Sequence, residues 1–332
     1  MAWAHTLAPM MILAGDIGGT KTNLAAFVRE GGRLRPLNQR KYDSRAAASF
    51  EEMLESFLGE MGAGAKFEAA CFGAAGAVIG GRVRLTNLAW AVDAGSVGKL
   101  LGTSRVRLLN DMEATWAGVD AVEPSELYAL QPAAAPPHAN QALIAAGTGV
   151  GESFRIWTGG RYLPVATEGG HADFAPRTDQ EIELLRYLKR SHTWVDVERV
   201  VSGRGFFEIH RFLGPGVDHP DFHDPGDDPA AEITRRALDR ACSICVAAVD
   251  LWISLYGAEA GNLALRTLAR GGVFVAGGIA AKILPKLREG RFTEAFAQKA
   301  EFGDLLGRIP ITVVLNQEAP LLGAAATAAA LL

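Results

Sequence analysis

Two glycine-rich segments of the chain combine chemical groups that can hold phosphate. The first glycine segment consists of Gly15, Asp16, Ile17, Gly18, Gly19 and Thr20, and the second of Gly147, Thr148, Gly149, Val150 and Gly151. Glycine lets backbone N–H groups approach an anion closely, and a threonine hydroxyl adds a donor. Because a carboxylate tolerates phosphate only with a cation between them, Asp16 also predicts Mg²⁺. An ordinary hairpin turn is the alternative for either segment.

An Asn–Asp pair, Asn110 and Asp111, follows an apolar run at 106–109 that predicts a buried strand. Ligands bind at strand ends in α/β sheets. A carboxylate there can orient a hydroxyl nucleophile and take its proton during attack on a γ-phosphate. The alternative is that Asp111 caps the following helix, and the position taken alone favours the cap.

A third set of polar residues suits sugar hydroxyls. Glu168 and His171 lie three residues apart around two glycines, and Glu198 precedes an apolar pair. Carboxylate and imidazole groups can both hydrogen-bond hydroxyls. A structural histidine and a helix-start carboxylate are the open alternatives for His171 and Glu198.

The three cysteines, Cys71, Cys242 and Cys245, predict neither a disulfide framework nor a metal centre. Cys242 and Cys245 share one face of a predicted helix, where they are expected to pack as small apolar residues. Zinc would need two further ligands, and the chain has no second CxxC. This cysteine usage predicts a reducing, cytoplasmic location.

The elements that must position these residues follow a pattern that occurs twice. An apolar strand, a glycine turn and a second strand are predicted at 10–28 and again at 142–157, which suggests an internal duplication. Two unrelated hairpins are the alternative. Apolar residues at helical spacing predict a helix over 50–61. The other predicted strands are 33–42, 69–73, 106–109, 273–276 and 311–315, and the other predicted helices are 179–189, 203–212, 230–256, a run from 279, and 320–332.

The composition limits the classes of protein to which the chain can belong. The 332 residues are 49% apolar and 21% charged, enough for two lobes with large cores. A formal net charge of -4 without a basic patch argues against a nucleic-acid partner. The N-terminus lacks the pattern of a secretory signal, and the apolar stretch at 242–255 is too short and too polar to predict a membrane span.

Six motifs together resemble those of bacterial glucokinases. They are GDIGGT at 15–20, LND at 109–111, GTGVG at 147–151, EGGHADF at 168–174, ERVVSG at 198–203 and GGVFVAGGI at 271–279. Their order and spacing are similar to the family's over about residues 13–323. The resemblance implies an α/β, two-lobed actin-like ATPase fold of the hexokinase type, ribonuclease H-like, with an interlobe cleft. The small lobe would be 1–120 with a C-terminal helix at 318–332, and the large lobe 121–317.

The resemblance also implies an activity, namely ATP-dependent phosphorylation of D-glucose to glucose 6-phosphate by a cytoplasmic homodimer. Asp111 would be the general base. The residues implied to bind the sugar are Asn87, Asn110, Asp111, Glu168, His171 and Glu198. The two glycine segments would be phosphate loops, with Mg²⁺ held through Asp16, and Gly277 and Gly278 would lie against the adenosine.

The chain departs from the family pattern in two places. Gly76-Ala77 stands where the family often has Gly-Pro, and the segment 214–228, which is rich in Gly, Pro, Asp and His, is an insertion relative to the family. Both departures bear on sugar preference more than on the reaction. The zinc-binding cysteine cluster of the related repressor-and-kinase group is missing from the sequence.

Three other functions compete with a glucose kinase. One is a kinase of another hexose, such as mannose or an N-acetylated hexosamine. A second is a sugar-sensing regulator, although about ten residues before the first strand leave no room for a helix-turn-helix. A third is a non-kinase actin-like ATPase, because a shared fold does not determine function.

Overall fold

The computed structural model describes residues 11–62, 65–85, 88, 90–217 and 228–332. Asn87, one of the predicted sugar-binding residues, lies outside this set. The chain forms two compact units. Unit 1 comprises Met1–Glu123 and Glu318–Leu332, and unit 2 comprises Pro124–Gln317. The lobe boundaries predicted from the sequence stay a prediction about functional domains.

The described residues form strands and helices with the following bounds. The strands are β1 Met11–Ile17, β2 Lys21–Glu30, β3 Arg33–Asp43, β4 Phe67–Ala74, β5 Val78–Ile79, β6 Arg82–Arg84, β7 Ala91–Asp93, β8 Val106–Asn110, β9 Leu127–Gln131, β10 Gln141–Ala146, β11 Val150–Trp157, β12 Tyr162–Ala166, β13 Val273–Ala276 and β14 Ile311–Val314. The helices are α1 Phe50–Met61, α2 Ala94–Leu101, α3 Asp111–Val119, α4 Asp179–Leu188, α5 Val197–Val201, α6 Gly203–Leu213, α7 Pro229–Leu238, α8 Ser243–Thr267, α9 Gly278–Lys282, α10 Leu284–Leu287, α11 Arg291–Ala297, α12 Gly303–Leu306 and α13 Ala319–Ala329.

The main sheet of unit 1 has five strands in the order β3-β2-β1-β4-β8. The first three strands along the chain form an antiparallel meander, and β4 and β8 then extend the sheet parallel to β1. Residues such as Leu13, Leu24 and Phe72 are fully buried because both faces of this sheet are covered by helices or by the adjoining small sheet. A parallel extension places the carboxyl ends of β1, β4 and β8 at one edge.

The main sheet of unit 2 repeats this arrangement and adds one strand, in the order β12-β11-β10-β13-β14-β9. Here β10, β11 and β12 form the antiparallel meander, and β13 and β14 run parallel to β10. The recurrence that the sequence predicts at 10–28 and 142–157 is therefore confirmed as topology. The edge strand β9 pairs antiparallel with β14 and was not predicted.

Helix α8 runs through the core of unit 2. Trp252, Tyr256 and Ala260 are fully buried on it. Among the described helices, α8 is the one whose length and apolar composition would suffice to cross a membrane, and most of it is buried within the unit. A core helix passes the same test of length and composition, since it too is apolar on most sides.

The single helix predicted over 230–256 is wrong. The structure has α7 and α8 in that stretch, separated by four residues. Arg240 has a positive φ of 53°, and Cys242 is extended and caps α8. The chain therefore turns between two helices whose apolar faces both pack into the core. The apolar pattern of α7 continues without interruption into that of α8. Periodicity alone therefore did not reveal the break between the two helices.

Candidate active site

The carboxyl ends of three parallel strands of unit 1 bring two carboxylates together. Asp16 lies near the end of β1, and Asp111 is the first residue of α3, directly after β8. Between them runs β4, whose Gly73 pairs with Asp16. A Cβ atom on Gly73 would come within 2.6 Å of the Ala114 Cβ and 3.9 Å of the Asp111 Cα, so a glycine here allows α3 to begin close to the sheet.

The charge on Asp111 affects the ionisation of Asp16. Desolvation of its carboxyl group, together with the negative charge of Asp111, raises the pKa of Asp16 to about 7. Two like charges this close favour protonation of one of them or the binding of a cation. Carboxylate oxygens suit a hard cation such as Mg²⁺, so this pair fits the cation that the sequence predicts at Asp16.

Asn110 is the N-cap of α3, and Asp111 contributes to the capping because its Oδ1 also accepts the Met112 N–H at 2.9 Å. The Asn110 Oδ1 accepts a hydrogen bond from the Met112 N–H at 2.9 Å, and Glu113 bonds back to the Asn110 N–H at 3.0 Å, which completes a capping box. The Asn110 Nδ2 donates to the carbonyl oxygen of Gly76 at 3.2 Å. The Asp111 side chain is half-buried at the start of the helix.

The first glycine segment is only in part a turn. Gly15, Asp16 and Ile17 belong to β1 and pair with strands on both sides, so the turn is confined to residues 18–20. The Ile17 side chain is fully buried, which leaves only its backbone near any ligand. Strand pairing therefore continues through Ile17, and the glycine turn predicted between the first two strands comprises only the last three residues of the segment.

A buried serine, Ser44, stabilises this turn through hydrogen bonds. The Ser44 hydroxyl donates to the Gly18 carbonyl oxygen at 2.8 Å and lies 2.9 Å from the Thr22 hydroxyl. The Ser44 N–H donates to the Thr20 carbonyl oxygen at 3.0 Å. These contacts hold the carbonyl groups of the turn and leave the Gly19 and Thr20 N–H groups for a ligand.

In unit 2, Glu198 contacts the second glycine segment. Its Oε2 accepts the Val150 N–H at 3.1 Å, and a Cβ on Gly149 would lie only 2.4 Å from that oxygen. The turn itself closes through a 2.8 Å bond from the Gly147 N–H to the Gly149 carbonyl oxygen. One carboxylate oxygen of Glu198 thus supports this segment, a role that the sequence did not predict.

Glu168 and His171 lie in a short turn, residues 168–171, that packs on α5. The His171 N–H donates to the Glu168 carbonyl oxygen at 3.0 Å, and both side chains are exposed. The His171 Nδ1 lies 3.1 Å from the Asp196 Oδ2. This hydrogen bond, with smaller contributions from the charges of Glu198 and Glu168, raises the pKa of His171 above its ordinary value. The structure therefore brings the three predicted unit 2 sugar ligands into one neighbourhood.

A buried pair of carboxyl groups lies beneath this turn. Glu152 is 1% exposed, and a Cβ on Gly169 would approach its Oε2 to 2.2 Å. Desolvation, followed by the charge of Glu259, raises the pKa of Glu152 to about 8. Arg266 offsets part of that effect, with its Nη1 2.7 Å from the Glu259 Oε1. At neutral pH the pair is thus expected to hold a proton.

Gly277 lies at the carboxyl end of β13, next to the end of β10. Its φ is +89°, and a Cβ would lie 2.3 Å from the Ala146 carbonyl oxygen. Only glycine fits a position with both constraints. Gly277 therefore caps α9, and Gly278 begins it, beside the second glycine segment. This position is what a single ligand would require to contact both the glycine segment and the start of α9.

The main supporting residues escaped the sequence analysis. Ser44 and Asp196 each contact a predicted site residue that is distant in the chain, and Glu152 lies against Gly169, between the predicted residues Glu168 and His171. Asp196 alone had a local signal, since an Asp two residues before Glu198 is typical of a helix cap, and its Oδ1 does accept the Arg199 N–H at 2.9 Å.

Comparisons with known proteins agree on one family. The family model described as Glucokinase matches residues 13–331. A glucokinase of Nostoc sp. is 38% identical over 340 residues, covering 97% of this chain and 99% of that protein.

Solved structures give the same fold. The crystal structure of a glucokinase from an Antarctic psychrotroph matches with a TM-score of 0.79 and 28% identity, covering 96% of this chain and 99% of the other. A glucokinase from Balamuthia mandrillaris, solved in complex with glucose, matches with a TM-score of 0.81 over 98% of this chain and 95% of that one. Its 20% identity supports the fold alone. The predicted actin-like fold of sugar kinases is thereby confirmed, and this chain belongs to the glucokinase family.

Proposed function

We propose that this chain transfers the γ-phosphoryl group of ATP to the 6-hydroxyl of D-glucose. The observation that carries the proposal is the position of Asp111, a half-buried carboxylate at the start of α3, next to Asp16 and at the edge where three parallel strands end. Membership of the glucokinase family supplies the reaction class and the sugar.

Asp111 acts as the general base. Its carboxylate accepts the proton of the sugar 6-hydroxyl while the bond from that oxygen to the γ-phosphorus forms and the bond to the β-phosphate oxygen breaks. The capping box at Asn110 and the hydrogen bond that the Asp111 Oδ1 accepts from the Met112 N–H hold the carboxylate in a fixed orientation.

The sugar is bound by hydroxyl contacts from several residues. We assign this role to Glu168, His171 and Glu198 of unit 2, and to Asn110 and Asn87. Glu198 keeps one carboxylate oxygen for the sugar while the other accepts the Val150 N–H. The Asp196 hydrogen bond orients the His171 ring. That these groups and Asp111 act on the same sugar molecule stays a prediction.

The triphosphate is bound by backbone groups of the two glycine segments, and the adenosine by Gly277 and Gly278. Mg²⁺ fits the proposal because the charge of Asp111 raises the pKa of the neighbouring Asp16, and a cation would offset the charges of both carboxylates. When bound, the ion neutralises charge on the transferring phosphoryl group. Asp16 would hold it through water.

Replacing Asp111 tests the proposal directly. In a coupled assay for ADP release, Asp111→Asn should lower kcat by two to four orders of magnitude, on the order of what a general base contributes. Glucose and ATP should still bind, as measured by calorimetry. Asp120→Asn, at the other end of the same helix, is the matched control and should keep its activity. Near-wild-type turnover in Asp111→Asn would remove Asp111 from this role.

The same assay separates the competing functions. ADP release that depends on glucose supports the proposal, and a higher kcat/KM on mannose or an N-acetylated hexosamine would identify another hexose kinase. ADP release without sugar would indicate an ATPase that uses ATP for conformational work.

We further propose that the enzyme acts in glycolysis as a cytoplasmic homodimer. The cytoplasmic location rests on the sequence, whose three cysteines predict no disulfide framework. The dimer rests on the family resemblance alone. Light scattering on the purified protein should give about twice the 35.2 kDa chain mass, and a mass of one chain would refute the dimer.

A further inference from the structure

Three side chains of unit 2 with metal-binding atoms lie close together, away from the residues proposed for catalysis. They are His210 in the last turn of α6, Cys242 at the cap of α8, and Cys245 in the first turn of α8. One ligand atom from each, a ring nitrogen or a sulfur, lies within 4.8 Å of the other two. The sequence predicted packing for both cysteines and placed no histidine near them.

The start of α8 arranges the two sulfur atoms. Cys242 is the cap residue and Cys245 follows one turn later, so both side chains lie on the same side of the helix end. The Cys245 N–H donates to the Cys242 Sγ at 3.4 Å. The two sulfur atoms are therefore held close to each other at the N-terminal end of α8.

His210 reaches these sulfur atoms because α6 packs against α8. Its side chain is fully buried, as is that of Cys245. Cys242 is half-buried, so the cluster has one side open to solvent. An ion could enter there, and a water molecule could complete its coordination.

The donor set selects the kind of metal. Two sulfurs and one imidazole suit zinc and other thiophilic ions, whereas Mg²⁺ and Ca²⁺ prefer oxygen. Zn–S and Zn–N bonds of about 2.3 and 2.0 Å bring tetrahedral ligands to roughly 3.3–3.8 Å from one another. Closing the observed cluster to that size would shorten the distances between ligand atoms by at most about 1.5 Å.

We propose that His210, Cys242 and Cys245 form a zinc site that joins α6 to α8, with a solvent molecule as fourth ligand. On binding, each thiol releases its proton to solvent and its sulfur becomes a zinc ligand. No oxidation or reduction is involved.

The site would stabilise the support of the second glycine segment. Helix α6 begins at Gly203, whose N–H donates to the Gly147 carbonyl oxygen at 2.9 Å. Trp252 of α8 donates from Nε1 to the Ser202 carbonyl oxygen at 3.0 Å. A metal that joins the last turn of α6 to the start of α8 would fix the relative position of the two helices. Its role is therefore structural and separate from the proposed reaction.

Cobalt and zinc titrations of the full-length protein test the site. Reduced, chelator-treated protein should bind one Co²⁺ with the near-ultraviolet charge-transfer band of thiolate ligands, and Zn²⁺ should abolish that band. Cys71→Ala is the matched control, because Cys71 is a buried thiol of unit 1, and it should behave like the wild type. The double variant Cys242→Ser/Cys245→Ser should lose the band, and His210→Asn should bind Co²⁺ at least tenfold more weakly.

Zn²⁺ should also raise the melting temperature of the wild type and of Cys71→Ala, but not of the double variant. The metal titration of the wild-type protein does not depend on any variant. It therefore still tests the site if a variant misfolds. The proposal is overturned if reduced wild-type protein gives no thiolate band, or if the double variant gives the same band as the wild type. A Cys242–Cys245 disulfide that persists in reductant without metal binding would overturn it as well.

Discussion

Carboxyl groups in different surroundings have different roles in this protein. Asp111 sits at a helix start and is suited to accept a proton, whereas the raised pKa of Asp16, about 7, suits a group that shares its charge with a cation. Burial and the charge of Glu259 raise the pKa of Glu152 to about 8, so this buried pair is expected to hold a proton beneath the 168–171 turn at neutral pH. In the proposed mechanism the same functional group would serve as base, as cation ligand and as neutral support.

The pairing of His171 with Asp196 can be tested by titration. Asp196→Asn should lower the pKa of His171, because the hydrogen bond to Asp196 is the main cause of its raised value. Asparagine can still cap α5, so the helix should be retained. NMR titration of the imidazole signals measures the change, and the other histidines should titrate alike in both proteins. An unchanged His171 titration would show that the contact does not exist in solution.

The Glu152 carboxyl predicts how stability depends on pH. Its pKa is raised from 4.5 to about 8 in the folded state, so the folded protein binds more protons than the unfolded chain between these values. The contribution of Glu152 to stability is therefore full at low pH and is lost as pH rises through about 8. The loss is on the order of 1 kcal/mol per pH unit across that window.

Glu152→Gln should remove this dependence, since glutamine keeps the shape and cannot ionise. Urea unfolding at pH 6 and pH 9 should show the wild type losing more stability than the variant as pH rises. Glu55→Gln, on the exposed side of α1, is the control and should follow the wild type. Parallel curves for the wild type and Glu152→Gln would contradict the assignment.

At the scale of elements, α13 positions the helix that carries Asp111. The two helices approach so closely that their backbones touch at two glycines. A Cβ on Gly118 would lie 1.9 Å from the Ala319 carbonyl oxygen, and one on Gly323 would lie 1.9 Å from the Ala114 carbonyl oxygen. The last helix of the chain therefore belongs to the core of unit 1, although nearly 200 residues separate it from the rest of that unit.

Gly323→Ala should destabilise unit 1 by about 2 kcal/mol or more, because the added methyl group has no space and the helices must separate. Displacement of α3 should also lower kcat. Gly59→Ala, in α1 with nothing within 4 Å of its Cβ position, should be neutral or stabilising by up to about 1 kcal/mol. Thermal unfolding and the coupled assay measure both effects. Equal stabilities of the two variants would refute the close helix contact.

At the scale of the whole molecule, each unit has its own core and its own half of the proposed binding groups. The core of unit 1 is built on β1, β2 and β4, and the core of unit 2 on α8 and its sheet. A ligand that binds only the folded protein stabilises it by mass action, whichever residues it contacts.

Glucose at about 100 times its Kd should therefore stabilise the protein by about 2.7 kcal/mol, which raises Tm by a few degrees. Differential scanning calorimetry measures the shift. Asp111→Asn should show a similar shift, because the base acts on the reaction more than on binding. Galactose, which differs at one hydroxyl, is the control sugar, and equal shifts with both sugars would argue against a specific glucose site.

The sequence by itself determined the local elements and the family. Strands β1, β2, β4, β8, β10 and β13 and helix α1 were predicted because period-two or period-3.6 apolar patterns and glycine turns act over a few residues. The repeated hairpin was visible for the same reason. The motifs that carry the resemblance are likewise local, so the reaction class could be inferred without any structure.

Only the tertiary structure decided which distant residues support the site. Asp196 beside His171, Ser44 beneath Gly18, and His210 beside the two cysteines of α8 are contacts between separate elements. Such contacts depend on strand register and helix packing, which many residues set together and no single spacing encodes. The break between α7 and α8 escaped prediction because two adjacent helices buried in one core present a continuous apolar pattern.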